Sequence, residues 1–263
     1  MAGLQPGPNP MSPSDAGAAP AQGHRQRIDR LLVERGLFES RARAQAAIAE
    51  GLVRVEGVPV TKPSAEVAAD ARIEATQPHD FVSRGALKLE AALDAFAIDP
   101  AGLEALDVGA STGGFTDLLL KRGARHVHAV DVGRDQLHAS LRGRPEVSLM
   151  EATDIRTLAP GALPPVDLVV IDVSFISLAL VLPAALAFAS PGAHLVALVK
   201  PQFEAGRAAV KKGVVRDAAI HDAVCEKVRA EVERLGWTVL GLIPSPIAGG
   251  DGNREFLLGA KRP

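Results

Sequence analysis

The sequence predicts an α/β protein in which a small mixed α/β unit precedes a larger, doubly wound and largely parallel sheet. Apolar runs alternate with helical segments in the second part of the chain, as buried parallel strands do. These runs are Leu103 to Asp107, Val127 to Asp131, Val166 to Asp172 and Leu195 to Lys200. The chain has 263 residues, 47% of them hydrophobic and 23% charged, a globular balance in a length above the ~100 to 200 residues of one domain.

Composition divides the chain into a leader and two domains. Residues 1–24 hold five Pro, four Gly and five Ala with one charged side chain, which is too little apolar surface to offset the entropy of ordering. This segment predicts a disordered leader, and it lacks the basic and continuous apolar regions of a signal peptide. A shift to acidic and then polar residues in 64–80 predicts a boundary between a domain at 25–80 and a second domain at 81–263.

Two short helices and several extended segments are predicted in the first domain. Ile28, Leu31 and Leu32 recur at helical spacing. Ser40 is placed to cap a second helix that stops at Gly51. Val-rich extended pieces follow that glycine. The unit is therefore small and of mixed α/β type.

Basic side chains concentrate on these two helices although the whole chain has a net charge of -2. Between Arg25 and Pro63 there are eight Arg or Lys and five Asp or Glu. A mixed, solvated helix surface is the alternative interpretation. However, RIDRLLVERGL, SRARAQAAI and EGLVRVEGVPV, in this order, resemble the S4-type RNA-binding domain. The resemblance implies that the phosphates of structured RNA are contacted by Arg27, Arg30, Arg41 and Arg43.

Cysteine content and hydropathy exclude several classes of protein. A single cysteine, Cys225, excludes an internal disulfide framework and multi-cysteine zinc sites. The histidines show no familiar metal-ligand spacing, so no metal is expected. Val173 to Val199 carries no Asp, Glu, Lys or Arg, but we expect Pro183, Pro191 and Gly192 to interrupt it. We therefore expect strand, helix and strand rather than stable membrane insertion, in a cytoplasmic protein.

A glycine-rich turn after the first apolar run predicts a nucleotide-type cofactor site. LDVGASTGGF places Asp107 at a strand end ahead of Gly109, Gly113 and Gly114. A tight connection between strand and helix is the alternative explanation. The next strand ends at Asp131, where an acid can bind both ribose hydroxyls of a cofactor. The glycine-rich turn together with Asp131 favours a nucleoside-binding site over a simple connection between strand and helix.

The spacing of the glycines favours S-adenosylmethionine over a dinucleotide. It does not match G-x-G-x-x-G, and the loop lacks the lysine of a P-loop. D-x-G-x-x-x-G-G-F is similar to the motif of S-adenosylmethionine enzymes, in which a further acid, here Asp154, binds the adenine amine. The predicted cofactor-binding residues are Asp107, Gly109, Ser111, Thr112, Gly113, Gly114, Phe115, Asp131 and Asp154.

Four charged residues lie where strands end or helices begin, namely Lys88, Asp172, Lys200 and Glu255. Each alone has an ordinary explanation, such as a snorkelling lysine or a helix cap. Together they predict a catalytic network, because the carboxyl ends of parallel strands converge on one crevice. A network of this kind can deprotonate a hydroxyl for methyl transfer. We assign Lys200 as base, Lys88 and Asp172 as groups that position it, and Glu255 as the residue that orients the acceptor ribose.

The order of all these motifs resembles the TlyA family of ribosomal-RNA 2′-O-methyltransferases. SRGALKLEAAL, VVIDVSFISL, VKPQFEAG and SPIAGGDGNREF follow the S4-type domain. The resemblance implies a Rossmann-like class I methyltransferase domain of FtsJ type, with a Lys-Asp-Lys-Glu tetrad matched by the four residues above. It implies methylation of a cytidine ribose in 16S and/or 23S ribosomal RNA, with that RNA or a ribosomal subunit as partner. Near the crevice, Arg84 is a further candidate RNA contact.

Two other functions remain open at this point. Members of this family often carry a haemolysin name, so a membrane-acting haemolysin is one alternative. An RNA-binding assembly factor with an inactive methyltransferase site is the other. Base methylation is disfavoured, because the chain has neither an Asn/Asp-Pro-Pro-Tyr turn nor a cysteine in a catalytic position.

Overall fold

The computed structural model describes residues 25–49, 51–76, 80–206, 209–210, 213–249 and 252–263. The leader expected at 1–24 lies outside the described residues. The chain separates into two compact units, with the division after residue 79. Each unit has its own hydrophobic core.

In its described residues, the first unit consists of two helices and two small antiparallel sheets. Its elements are β1 (Arg25–Arg27), α1 (Ile28–Glu34), α2 (Arg41–Ala49), β2 (Val53–Val55), β3 (Val58–Pro59), β4 (Glu66–Ala68) and β5 (Ile73–Ala75). Strand β1 pairs with β4, and β2 lies between β3 and β5. The hydroxyl of Ser40 accepts a hydrogen bond from the amide of Arg43 at 3.3 Å. This contact starts α2 where the sequence predicts a cap.

The core of the first unit is built from the apolar face of both helices. Ile28 and Leu32 of α1 pack with Ala47 and Ile48 of α2 and with Val53 of β2. These are the positions that recur at helical spacing in the sequence. Their burial leaves the charged residues of α1 and α2 on the outer faces, with the exception of Asp29.

The second unit is a sheet with helices on both faces. Its elements are α3 (Gly85–Ala95), β6 (Glu104–Val108), α4 (Gly114–Lys121), β7 (His126–Val130), β8 (Val147–Met150), a 3-10 turn (Ile155–Thr157), β9 (Val166–Ile171), α5 (Leu178–Leu186), β10 (Ala189–Val199), α6 (Pro201–Glu204), α7 (Ala218–Arg234), β11 (Thr238–Pro244) and β12 (Phe256–Lys261). Within the described residues the sheet has seven strands in the order β11-β12-β10-β9-β6-β7-β8. The five strands from β10 to β8 are parallel, and β12 is antiparallel to both its neighbours.

Both faces of this sheet are buried, which explains the continuous apolar runs. On one face Leu106 and Val169 pack in the same cluster as Val181 of α5 and Val228 of α7. On the other face Leu168 packs in a second cluster, with residues of α3 and α4. Because β6, β7, β9 and β10 are parallel, their carboxyl ends lie at the same end of the sheet. The loops that follow these strands meet there.

The uncharged stretch from Val173 to Val199 contains helix α5 and strand β10. The expected interruption at Pro183 is wrong, because this exposed residue lies inside α5 while its helical neighbours Val181 and Leu182 are buried. Burial of those side chains offsets the hydrogen bond that proline removes. Pro191 and Gly192 fall where the pairing register of β10 shifts. Among the described residues, none of the helices is long and apolar enough to cross a membrane.

Candidate active site

Two adjoining cavities open at the carboxyl ends of β6, β7 and β9. The larger, of about 530 Å³, is lined by residues that include Val130, Asp131, Asp154 and Phe175. The smaller, of about 270 Å³, is lined by residues that include Arg84, Lys88, Thr112, Gly114 and Phe115. Gly109, Ser111 and Asp172 line both cavities. A ligand in one cavity therefore lies next to a ligand in the other.

The loop after β6 needs glycine at two positions for two different reasons. Gly109 has φ +88°, and a Cβ there would lie 2.4 Å from the carbonyl oxygen of Asp172. Gly113 has φ +92°, and a Cβ there would meet Leu141 at 2.4 Å. Gly109 thus lets β6 and β9 approach each other beside the cavities. Gly113 lines neither cavity, and it serves the packing of Leu137 and Leu141 against the loop.

Asp131 fixes the shape of the larger cavity through two backbone contacts. Its Oδ2 accepts a hydrogen bond from the amide of Ser111 at 2.8 Å. Its Oδ1 accepts one from the amide of Gly133 at 2.7 Å. The carboxylate therefore links the loops after β6 and β7, and it stays half-buried at the cavity wall.

Asp154 also lines the larger cavity, but a neighbouring guanidinium already binds it. Nη2 of Arg156 lies 2.6 Å from Oδ2 of Asp154, and the amide of Arg156 donates to Oδ1 at 2.9 Å. These hydrogen bonds lower the pKa of Asp154 from its ordinary value. Arg156 lines the same cavity. A ligand that uses this carboxylate has to share it with Arg156.

Asp107 is fully buried behind the glycine loop. Its Oδ2 accepts a hydrogen bond from the hydroxyl of Thr116 at 2.7 Å. Its Oδ1 is buried and has no partner among the described residues. Desolvation raises the pKa of Asp107 to about 7, and the charge of Asp172 adds to the effect. Asp107 is thus a carboxyl group with an unsatisfied acceptor beside the site.

The four residues of the predicted tetrad form two ion pairs. Nζ of Lys88, on α3, lies 2.6 Å from Oε2 of Glu255, which directly precedes β12. Nζ of Lys200, after β10, lies 2.7 Å from Oδ1 of Asp172, after β9. Both lysines are 9% exposed, so solvent screens these pairs weakly. Lys88 and Asp172, one from each pair, line the smaller cavity together.

Sequence reasoning missed three polar residues that hold these groups in place. Ser174 accepts a hydrogen bond from Nζ of Lys200 at 2.8 Å. Glu204 is buried and accepts from the hydroxyl of Ser177 and the amide of Leu178, both at 2.6 Å. Asn253, two residues before Glu255, accepts from the amide of Val215 at 3.1 Å. An isolated Ser, Glu or Asn gives no signal in a sequence, although each of these lies within four residues of a tetrad member.

The arginines predicted to bind RNA fall into two groups in the first unit. Arg27 and Arg41 both bind the carboxylate of Asp29, which is fully buried, at 3.0 Å and 2.7 Å. These contacts hold the pKa of Asp29 well below its usual range. Arg30 and Arg43 are exposed on the same two helices. In the second unit, Arg84 is exposed and lines the smaller cavity.

A Glu-His-His group lies at the opposite ends of the strands. Glu104, His126 and His128 bring their polar atoms within 4.8 Å of one another. Oε1 of Glu104 contacts His128 at 2.7 Å, and Oε2 contacts Arg125 at 2.7 Å. Both oxygens of that carboxylate are thus already engaged. No sequence pattern indicated this group, because the glutamate and the histidines come from different strands.

Comparison with known families agrees with the geometry. The model of the FtsJ-like methyltransferases matches residues 81–262, and the model of the S4 domain matches residues 26–73. Fold and site therefore define a methyltransferase of FtsJ type that carries an S4 domain.

Individual relatives extend this assignment over both units. The 16S/23S rRNA (cytidine-2′-O)-methyltransferase TlyA of Mycobacterium tuberculosis is 48% identical over 238 residues, which cover 89% of this chain and 89% of that protein. Hemolysin A of Brachyspira hyodysenteriae is 39% identical, over 88% of this chain and 98% of its own length. A solved structure from Streptococcus thermophilus, provisionally described as a hemolysin, has a TM-score of 0.72 and 42% identity, over 90% of this chain and 88% of that one. This chain belongs to the TlyA family.

Proposed function

We propose that this protein transfers a methyl group from S-adenosylmethionine to the ribose 2′-hydroxyl of a cytidine in 16S and/or 23S ribosomal RNA. The observation that carries the proposal is the pair of contacts between a buried lysine and a carboxylate beside two adjoining cavities. One cavity suits a nucleoside cofactor, and the other suits an acceptor brought next to it. The names of the TlyA relatives support the same reaction and substrate.

The residues of the larger cavity fit S-adenosylmethionine. Asp131 faces the cavity where the hydroxyls of a cofactor ribose would bind, and Asp154 where an adenine amine would donate. The buried, unpartnered Oδ1 of Asp107 is the kind of acceptor that the amine end of the methionine, or a water held by it, would satisfy. Gly109 and Ser111 line this cavity and would lie against the ligand. Thr112, Gly114 and Phe115, also predicted to bind the cofactor, line the smaller cavity next to it. Gly113, also predicted to bind the cofactor, would shape the loop by letting Leu137 and Leu141 pack against it.

The tetrad would handle the acceptor hydroxyl and its proton. When bound, S-adenosylmethionine supplies an electrophilic methyl carbon, whose bonding electrons stay on sulfur as the acceptor oxygen forms the new bond. Lys200 in its uncharged form takes the 2′-hydroxyl proton at Nζ and becomes an ammonium, which Asp172 stabilises at 2.7 Å. Lys88, held by Glu255 at 2.6 Å, places a second cation in the acceptor cavity. Release of the proton from Lys200 to solvent restores the base.

RNA binding is proposed for the exposed arginines of the first unit and for Arg84. Arg30 and Arg43 are exposed residues on α1 and α2. Arg27 and Arg41 are held by Asp29, so less freedom is lost when they meet a phosphate. In this proposal the domain at 25–80 binds ribosomal RNA and the domain at 81–263 carries out the chemistry.

The test is transfer of radiolabelled methyl from S-adenosylmethionine to purified 30S and 50S ribosomal subunits. Wild type is expected to label at least one subunit. Lys200→Ala is expected to lower kcat by at least about 100-fold, because general-base catalysis contributes this much or more. Binding of the cofactor, measured by calorimetry, is expected to stay within about twofold, since Lys200 does not line the larger cavity.

The matched control is Lys261→Ala, which removes an exposed lysine at the end of β12. This variant should label as wild type does. Cofactor binding without any labelling by wild type would overturn the proposed reaction and leave an RNA-binding assembly factor. Dye release from liposomes by the wild-type protein, with no labelling, would instead support the haemolysin name that some relatives carry.

A further inference from the structure

We propose that Ser174 is a positioning residue that fixes the direction of the Lys200 amine during proton transfer. The proposal deepens the proposed function and rests on it, because it concerns the same base. No part of the sequence pattern singled Ser174 out. It follows from a hydrogen bond that only the folded chain creates.

The contacts of Lys200 with its two neighbours differ in kind. Nζ lies 2.7 Å from Oδ1 of Asp172, yet this oxygen has no aligned hydrogen bond within the described residues. Nζ donates an aligned hydrogen bond to Oγ of Ser174 at 2.8 Å. The carboxylate therefore supplies charge with little directionality, and the hydroxyl supplies direction.

Direction matters because a lysine side chain ends in a freely rotating group. The ammonium has three N–H directions about the Cε–Nζ bond, and fixing one of them fixes the other two. With one N–H held by Ser174 and a second drawn toward Oδ1 of Asp172, the amine that has lost a proton keeps its lone pair in the third direction. Proton transfer from the 2′-hydroxyl requires this lone pair to face the acceptor within hydrogen-bond reach.

A second set of contacts joins the segment that carries Ser174 to the segment that follows Lys200. Ser174 lies in the loop between β9 and α5, and Lys200 directly precedes α6. Glu204 of α6 accepts hydrogen bonds from Ser177 and from the amide of Leu178, which begins α5. The loop that carries Ser174 and the helix that follows Lys200 are thus joined at two places. Ser174 is exposed, whereas Glu204 is 7% exposed, so the buried contact anchors the exposed one.

The test compares Ser174→Ala with Ser174→Thr in the methyl-transfer assay with ribosomal subunits. We expect Ser174→Ala to lower kcat about 10- to 150-fold, the range set by loss of one hydrogen bond to a charged group. KM for the ribosomal subunit should change less than twofold, and kcat is measured at saturating S-adenosylmethionine because Ser174 lines the larger cavity. Ser174→Thr keeps a hydroxyl at this position and should restore kcat to within about threefold of wild type.

The control is Ser190→Ala, which removes a serine from the same strand that leads to Lys200 but near its other end, in β10. Its kcat should equal that of wild type. A Ser174→Ala variant with unchanged kcat overturns the positioning role while leaving the proposed function intact. A loss of kcat that threonine fails to restore overturns it as well. If wild type methylates no ribose, the proposed function and the role of Ser174 fail together.

Discussion

Asp107 combines full burial with one oxygen that no described residue satisfies. Burial raises its pKa to about 7. Between the ordinary value for an aspartate and about 7, the unfolded chain has released this proton and the folded chain still holds it. The free energy of unfolding therefore falls as pH rises through this window, and it levels off above it.

Asp107→Asn should remove this pH dependence without loss of the acceptor for Thr116. We expect the variant to gain at least about 1 kcal/mol relative to wild type between pH 5 and pH 7.5, since one pKa unit corresponds to about 1.4 kcal/mol. Urea denaturation of both proteins at the two pH values measures the difference. Asp222→Asn, at an exposed position on α7, should show no such change. Parallel pH profiles for wild type and Asp107→Asn would mean that Asp107 is ionised throughout.

Individual residues differ in how far a sequence identifies them. Lys88, Asp172, Lys200 and Glu255 could be proposed because charged residues at the ends of apolar runs are conspicuous, and the structure joins them in two pairs. Which lysine pairs with which acid could not be predicted, because each pair joins segments that are distant in sequence. The role of Ser174 could not be predicted for the same reason, because its contact with Lys200 joins segments that are distant in sequence.

The close approach of β6 and β9 depends on the glycine that follows β6. Alanine at position 109 would place Cβ 2.4 Å from the carbonyl oxygen of Asp172, at φ +88°. We expect Gly109→Ala to displace the end of β9 and to lower methyl transfer on the order of 100-fold, because misplacement of a reacting group by about 1 Å has this effect.

Gly161→Ala is the matched control for this substitution. Gly161 has a similar φ of +82°, but a Cβ there would meet nothing within 4 Å. It should cost stability by roughly 1 kcal/mol and leave kcat unchanged. Thermal unfolding and the transfer assay on both variants separate backbone strain from the clash. Equal activity of the two variants would show that the contact with Asp172 is unimportant.

At the level of elements, the sequence predicted the parallel strands better than the antiparallel edge. The runs that became β6, β7, β9 and β10 are apolar throughout because both faces are buried. The antiparallel pair of β11 and β12 was not predicted. β12 lies between β10 and β11, so its pairing depends on a tertiary contact that periodicity does not report. The helix through Pro183 was likewise decided by burial and not by propensity.

In the proposed function, the basic residues of the first unit bind the RNA that the second unit methylates. The whole chain carries a net charge of -2, so attraction to RNA has to come from local basic groups. We expect the double variant Arg30→Ala, Arg43→Ala to raise KM for the ribosomal subunit about tenfold at 150 mM salt and to reduce its salt dependence. The dissociation constant for S-adenosylmethionine should not change.

A second double variant, Arg144→Ala with Arg234→Ala, controls for loss of charge alone. Both residues are exposed in the second unit, and each contacts an acid near it in sequence. Steady-state kinetics at several salt concentrations compare the two double variants. An equal rise in KM for both would contradict a specific role for the helices of the first unit.

The central claim is that the acceptor atom is a ribose 2′-oxygen, and alkaline hydrolysis of the labelled RNA tests it most directly. Alkali cleaves RNA through the 2′-hydroxyl, so a methylated ribose protects the adjacent phosphodiester and a methylated base does not. We predict that label introduced by the wild-type protein is recovered in an alkali-resistant dinucleotide that begins with cytidine. Label recovered in single nucleotides would contradict the account, because it would place the methyl group on a base.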